Sequence, residues 1–418
     1  MIDLLRIAIP FHKDFVVGGL DYEGRATGLI DLRETMLRGA KLESGNVIFN
    51  DGQYECESLR HPFESLPSSW STLSFKIFAG GANYWPHIEL KASPAKLLTG
   101  HNVYGSVDVR LCVEPLITSF NMAMPRLAEM LDFYSAELCQ IDCTFSAHLE
   151  SENAVRATIA ALRNVSAGQT RASYSAHETT VYWGKGSRRK RLKAYMKHSE
   201  VQGQIDDLTR LNKMNPKDYI VRQLEALQSK EVQEFSKTAL RFEASLFPKR
   251  LKQLGFPTRI GDFVEHCEQM NKRHCPIQYL WSLCWQDIFQ TFEGQHVNLY
   301  NDDQIRDALR QKYSTVTASG ALSHAKSDRL FRFVRSLRSE GYDEVKSTTP
   351  HNTFYRNIRE VTQVIPKAQL INLQAQAANN VIPLVRVINV DFAKQLPVNW
   401  REPQPLHKQL QQGLRAVS

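Results

Sequence analysis

No uninterrupted apolar run in this 418-residue chain approaches the length needed to cross a bilayer, which takes about 20 residues as a helix. The N-terminus, MIDLLRIAIPFHKDF, breaks a short apolar run with Asp3 and Arg6, so it reads as a first strand rather than a signal peptide. The seven cysteines are odd in number and contain no CxxC pair, which points to reduced thiols in a cytoplasm. His266-Cys267 and His274-Cys275 stand at an offset that fits no familiar zinc spacing. No His-x-His pair occurs among the 13 histidines, and there is no internal repeat or low-complexity tract.

What is present is a core-forming composition with a basic balance. With 42% hydrophobic and 23% charged residues, the chain can bury a full core and is expected to form two or three domains. Lys plus Arg number 52 against 44 acidic residues, a net charge of +8, which suits a nucleic-acid partner. The excess is moderate, so the clustering of charge carries more information than its total.

Residues 1 to about 110 alternate short apolar runs with Gly, Asn, Ser and Pro, as in LRIAIPF, LSFKIFAGG and PHIELKA, and read as strands joined by turns. Helices are predicted at Pro125–Phe133, Asn153–Asn164, 203–212 and 217–229, and strands at Leu138–Ala147 and Ala239–Leu246. Without βαβ repetition the expected class is α+β, an antiparallel sheet in a domain spanning 1–250. A helical connector over 251–300 follows, with helices at Ile260–Lys272 and Pro276–Phe292. A helical DNA-binding region spans 301–390, with helices at Asp302–Tyr313, capped by Asn301, and Lys326–Glu340. Thr349-Pro350 starts another helix, and the pair has the spacing of a helix-turn-helix whose second helix carries Tyr355 and Arg356. The tail, 391–418, reads as loosely structured.

The densest chemistry lies in TTVYWGKGSRRKRLKAYMKHSE, residues 179–200. At a strand's period of two, Arg191, Lys193, Tyr195 and Lys197 share one face while Leu192, Ala194 and Met196 share the other. Together with Arg188, Arg189 and Lys190 this presents a phenol within a cationic, phosphate-binding surface; a solvated edge strand has the same pattern. Three further strands each carry one acid at the centre of a polar face: Glu89 in PHIELKA, Asp142 in LCQIDCTFSA and Glu243 in LRFEASL. Should the strands be neighbours, the three carboxylates converge, and hard oxygen ligands select Mg²⁺ or Mn²⁺; simple pairing with nearby bases is the other reading. The loop SPAKLLTGHNVYG brings Lys96 and His101 towards the same end of the sheet, His101 as a further candidate ligand. Tyr182 and Tyr104 stand as rival nucleophiles.

At these residues the chain resembles the gene II replication initiators of filamentous bacteriophages. The blocks HPFESLP, KASPAK, GHNVYG, IDCTFSA, LRNVSAGQT, AYMKH, RFEAS and FEG follow that family in order along essentially the whole chain. The resemblance implies a rolling-circle initiator that nicks the viral strand of supercoiled replicative-form DNA at the origin. It would form a 5′-phosphotyrosine link, leave a 3′ hydroxyl as primer, and later join the displaced strand into a circle. The nucleophile falls on Tyr195, flanked by Lys193 and Lys197, with Asp142 and Glu243 as metal ligands. Implied partners are double-stranded origin DNA, displaced single-stranded DNA, and a host helicase and polymerase, acting in the host cytoplasm without a membrane; an oligomer at the origin is a further expectation. Two departures stand out: the broader rolling-circle class binds metal through a His pair absent here, and the internal start that yields a shorter C-terminal product meets Val297 instead of methionine. A non-catalytic viral DNA-binding or repressor protein would account for the charge alone, and a plasmid mobilisation relaxase is disfavoured by the missing histidines.

Overall fold

The computed structural model describes residues 1–20, 26–50, 53–68, 70–81, 84–163, 172–174, 179–293, 302–317, 319–365, 370 and 395–417. Most of the LRNVSAGQT block, the Asn164 helix end, the Asn301 cap, the Val297 site and the start of the tail at Val390 lie outside the described residues.

At the centre stands a nine-stranded sheet. In chain order its strands are β1 (Ile2–Pro10), β2 (Glu64–Pro67), β3 (Thr72–Phe78), β4 (His87–Ala92), β5 (Glu137–His148), β6 (Ala172–Tyr174), β7 (Thr180–Trp183), β8 (Lys190–Met196) and β9 (Ala239–Leu246). Across the sheet they run β6-β7-β8-β9-β5-β1-β4-β3-β2, and every adjacent pair is antiparallel. The architecture is therefore α+β with a helical C-terminal part, as the strand and helix patterns predict.

The alternation seen in the sequence sorts the two faces. Ile7, Ile88, Phe75, Ile141, Phe242 and Leu192 point into one core, covered by helices Val109–Ala123, Glu152–Leu162, Ile260–Asn271 and Pro276–Glu293. Trp281 donates its indole N–H to the Phe242 carbonyl at 2.9 Å, and the fully buried Trp285 packs against Trp183 and Phe242. These contacts correct the reading of 251–300 as a connector, since its described helices are part of the sheet's core. The opposite face is partly roofed by Lys197–Met214, Asp218–Gln228 and Lys230–Lys237 around a smaller cluster of Val103, Tyr104, Val201 and Phe235.

A separate core from Ile305 to Leu370 holds Asp302–Tyr313, Ala325–Glu340, Tyr342–Thr348 and His351–Val361 together, with a two-stranded hairpin between the first two helices. The link in the expected helix-turn-helix is itself the short helix Tyr342–Thr348.

Three local expectations are revised. The major helix near residue 120 is Val109–Ala123, capped by Asp108, with Pro115 inside it; Pro125 opens only a four-residue helix. The strand carrying Tyr195 ends at Met196, and Lys197 begins the next helix. The tail includes a helix, Leu406–Val417, anchored where the Leu406 and His407 N–H groups donate to the Glu114 carboxylate, each at 2.9 Å. Upstream, Gln395 brackets Ser146, accepting from its N–H and donating to its carbonyl at 2.8 Å each.

Candidate active site

Strand register sets the geometry. On the roofed face, Thr180, Tyr195, Arg241 and Ser146 form one row across β7, β8, β9 and β5. The next row is Tyr182, Lys193, Glu243 and Thr144, and the next Arg191, Ser245, Asp142 and, on β1, Leu4. Tyr195, Glu243 and Asp142 thus lie on a diagonal, each one strand and two residues from the next, about 7–8 Å between backbones.

Tyr195 is buried. The Lys193 ammonium sits 3.9 Å from its ring centroid and Lys197 6.0 Å away. Lys193 also pairs with Glu243 at 3.8 Å. Burial, with Asp3 and Glu243 nearby, pushes the phenol well above its usual range. The flanking lysines therefore do not produce a phenolate in the DNA-free protein.

Asp142 and Glu243 form an unbalanced acidic pair. Burial, then the charge of Asp142, pushes Glu243 up to about 8; burial and the charge of Asp3 push Asp142 up to about 6, against hydrogen bonds from Gln140 and Ser245. Two buried carboxylates that resist ionising together are relieved by a cation, and their oxygens are the donor type that Mg²⁺ and Mn²⁺ take, with water and phosphate completing the shell. The residues present fit such an ion.

Glu89 does not join them. It lies opposite Ala8 on β1 and Lys76 on β3, two strands beyond Asp142 and about 13 Å along β1 from the Asp142 row, and it pairs with Arg6 at 3.6 Å. His101 is buried beside Lys197 and Arg241; burial and these two charges lower its proton affinity to about 3, and they oppose a bound dication as they oppose a proton. Among the described residues no three His, Cys, Asp or Glu side chains gather as a metal site.

The basic residues divide. Arg188, Arg189 and Arg191 are exposed at the mouth of the β7–β8 hairpin, Arg191 lying over the Phe247 ring. Lys190 instead turns to the helical side, donating to the Cys284 carbonyl and Asp287 at 3.0 and 3.1 Å, as the strand's alternation requires. Lys96 is half-buried and close enough to act on Asp3 and Glu200. Tyr355 and Arg356 are exposed on His351–Val361 in the second core. Tyr104 is locked edge-on against His101, Phe235 and Trp400, with its phenol pushed up to about 12 by burial and Glu231. Tyr182 faces Lys193 in the pairing of β7 with β8.

Residues 1–273 match the N-terminal family of the phage replication-associated protein, and residues 316–405 match its C-terminal family. The chain belongs to this family of replication-associated proteins. Relatives bearing that name from Enterobacteria phages fd and M13 are each 40% identical over 408 residues, covering 96% of this chain and 99% of theirs. The protein of the same name from Salmonella phage IKe is also 40% identical, covering 96% of both. A solved rolling circle replication initiator protein from Geobacillus stearothermophilus aligns over 69% of this chain and 84% of its own, with 11% identity and a TM-score of 0.29, too distant to bear on the fold.

In this member of the replication-associated family the fold adds a group that the strand patterns leave out. Asp3 is buried with its carboxylate accepting from the Asn102 amide at 2.8 Å and lying 4.0 Å from Arg241. An acid inside the apolar run Ile2–Leu5 was the available signal, because β1 breaks register between Ile2 and Leu4. The charge of Arg241 favours the carboxylate of its own-strand neighbour Glu243, but the arginine's hydrogen bonds go elsewhere. It donates to the carbonyls of Asn102, at 2.6 Å, and Val103 and to the Ser146 hydroxyl at 3.3 Å.

Proposed function

We propose that the protein initiates rolling-circle replication of phage DNA as a metal-dependent, site-specific nickase and strand-joining enzyme with Tyr195 as nucleophile. The observation carrying this reading is the diagonal of Tyr195, Glu243 and Asp142, with the Lys193 ammonium between ring and carboxylate. Membership of the replication-associated family supplies the replication context.

The Tyr195 oxygen attacks the scissile phosphorus; the phosphorus–O3′ bond breaks, a tyrosyl ester to the 5′ phosphate forms, and the 3′ oxygen leaves as a hydroxyl. One diester replaces another, so the phenolic proton lost equals the hydroxyl proton gained and the link stays reversible. Lys193 holds the phosphate, the buried Lys197 offsets charge developing on the phenol, and Arg191, Arg189 and Arg188 guide the strand. Asp142 and Glu243 would hold Mg²⁺ or Mn²⁺, which when bound polarises a phosphoryl oxygen and neutralises its charge. The 3′ hydroxyl then primes host polymerase in the host cytoplasm as a host helicase opens the duplex, and reversal of the link closes the displaced strand.

Incubation of supercoiled origin DNA with Mg²⁺ tests both parts. Tyr195→Phe is expected to abolish nicking and the protein-linked 5′ end; retention of the link removes Tyr195 as nucleophile. EDTA is expected to stop nicking, and undiminished nicking in EDTA removes the metal.

A further inference from the structure

Lys197 is fully buried and is the first residue of its helix. Its ammonium donates to the side-chain carbonyl of Asn102 at 2.9 Å and to Glu200. The same Asn102 amide donates through its nitrogen to Asp3 at 2.8 Å. The loop under it is pinned by Arg241 at two consecutive carbonyls, Asn102 and Val103, and by the Val103 N–H donating to His101 Nδ1 at 3.3 Å. An amide carries a donor and an acceptor on one planar group, so it joins a carboxylate to an ammonium in one orientation only. Aspartate would offer two acceptors, and alanine would leave both buried charges short of a partner.

We propose that Asn102 is a positioning residue, its amide tying Lys197 to Asp3 so that the ammonium is held at Tyr195 for strand transfer. This rests on Tyr195 being the nucleophile. Lys197 faces Asp3 from β1, Arg241 from β9, Tyr195 from β8, His101 and Asn102 from the loop, and Glu200 from its own helix, where Gln204 donates to Glu200 and, at 3.5 Å, to the Asn102 side-chain carbonyl; Lys96, from helix Pro94–Thr99, acts on Asp3 and Glu200. Burial, with Arg241, lowers Lys197 to about 8 despite Glu200 and Asp3. Its protonated fraction therefore changes just above neutral pH, and loss of the Asn102 acceptor lowers that value further.

Two measurements test the proposal. In the DNA-free protein, the ¹³Cε chemical shift of Lys197, followed by NMR against pH, reads its titration. Asn102→Ala is expected to move it to lower pH, with Asn102→Ser in between. With a single-stranded origin oligonucleotide and Mg²⁺, both variants are expected to form the covalent link about ten- to a hundredfold more slowly, with the alkaline limb of the pH–rate profile displaced the same way and oligonucleotide affinity within about twofold of wild type. Superimposable Lys197 titrations, or a loss of rate with no displacement of the limb, overturn the proposal. Should Asn102→Ala fail to fold, Asn102→Ser gives both readings. Retention of the link by Tyr195→Phe removes the nucleophile reading instead, and the DNA-free titration then decides whether Asn102 governs Lys197.

Discussion

At Tyr195 two effects oppose each other. An ammonium 3.9 Å from the ring centroid favours a phenolate, whereas burial and the Asp3 and Glu243 carboxylates favour the phenol and prevail. On the proposed reading, with Tyr195 as nucleophile, charge in the site changes before the attack, and Glu243 is the group placed to change it. An ordinary glutamate loses its proton near 4.3, while folded Glu243 keeps its own to about 8. The folded state binds the extra proton within that window, so metal-free stability is complete below it and declines as pH rises through about 8. Denaturant titrations in EDTA should show this decline in wild type and a flatter profile in Glu243→Gln, the variant being more stable at the alkaline end by on the order of 2–4 kcal/mol. Mg²⁺ should stabilise wild type more at the alkaline end than near pH 5 and leave Glu243→Gln unmoved; equal stabilisation of both would take the ion away from this carboxylate.

Among the elements, the loop between helix Pro94–Thr99 and Asp108 carries more of the site than its length suggests. Gly100 ends that helix at φ +80°, a left-handed conformation, and a Cβ there would meet Ala226 and Trp70 at 3.1 Å. Gly100→Ala should cost about 1–3 kcal/mol in urea unfolding and slow covalent linkage by displacing Asn102, with Tyr195 itself untouched. Helix Pro276–Glu293 matters for a different reason: the Trp285 side chain fills the core beneath β9, so Trp285→Ala should cost about 3–5 kcal/mol, read as a lowered unfolding midpoint. Helix ends marked by Pro or Gly were legible in the sequence, as at Pro276 and Gly341. Lys197 was not, because a strand pattern runs on to it and only the contacts of Glu200 and Val201 favour the helix.

For the molecule as a whole, the sheet and the C-terminal helices each pack around a core of their own. In the second, several cations are already engaged: Lys326 and Arg329 with Glu360, and Arg335 and Arg338 with Asp302. Arg356 and Arg359 are exposed on His351–Val361. Replacing both with Ala should weaken binding of duplex origin DNA and reduce its log–log salt slope by about 2, while cleavage of a single-stranded origin oligonucleotide stays at wild-type rate. A parallel loss of single-stranded cleavage would place these arginines in the active site's service instead. The sequence by itself determined the antiparallel α+β class, the strands that carry Asp142, Tyr195 and Glu243, and which face each side chain takes, because a period of two leaves little choice once one face must be buried. Strand order was left to the tertiary structure. It set β9 between β8 and β5, which joins Glu243 to Asp142 and to Lys193, and it put β1 between β5 and β4, which carries Glu89 away. The same ordering, with the break in β1, folded Asp3 under the loop and turned Asn102 into the link between Asp3 and Lys197. Hydrogen bonds between residues 99 and 95 positions apart leave no trace in local periodicity.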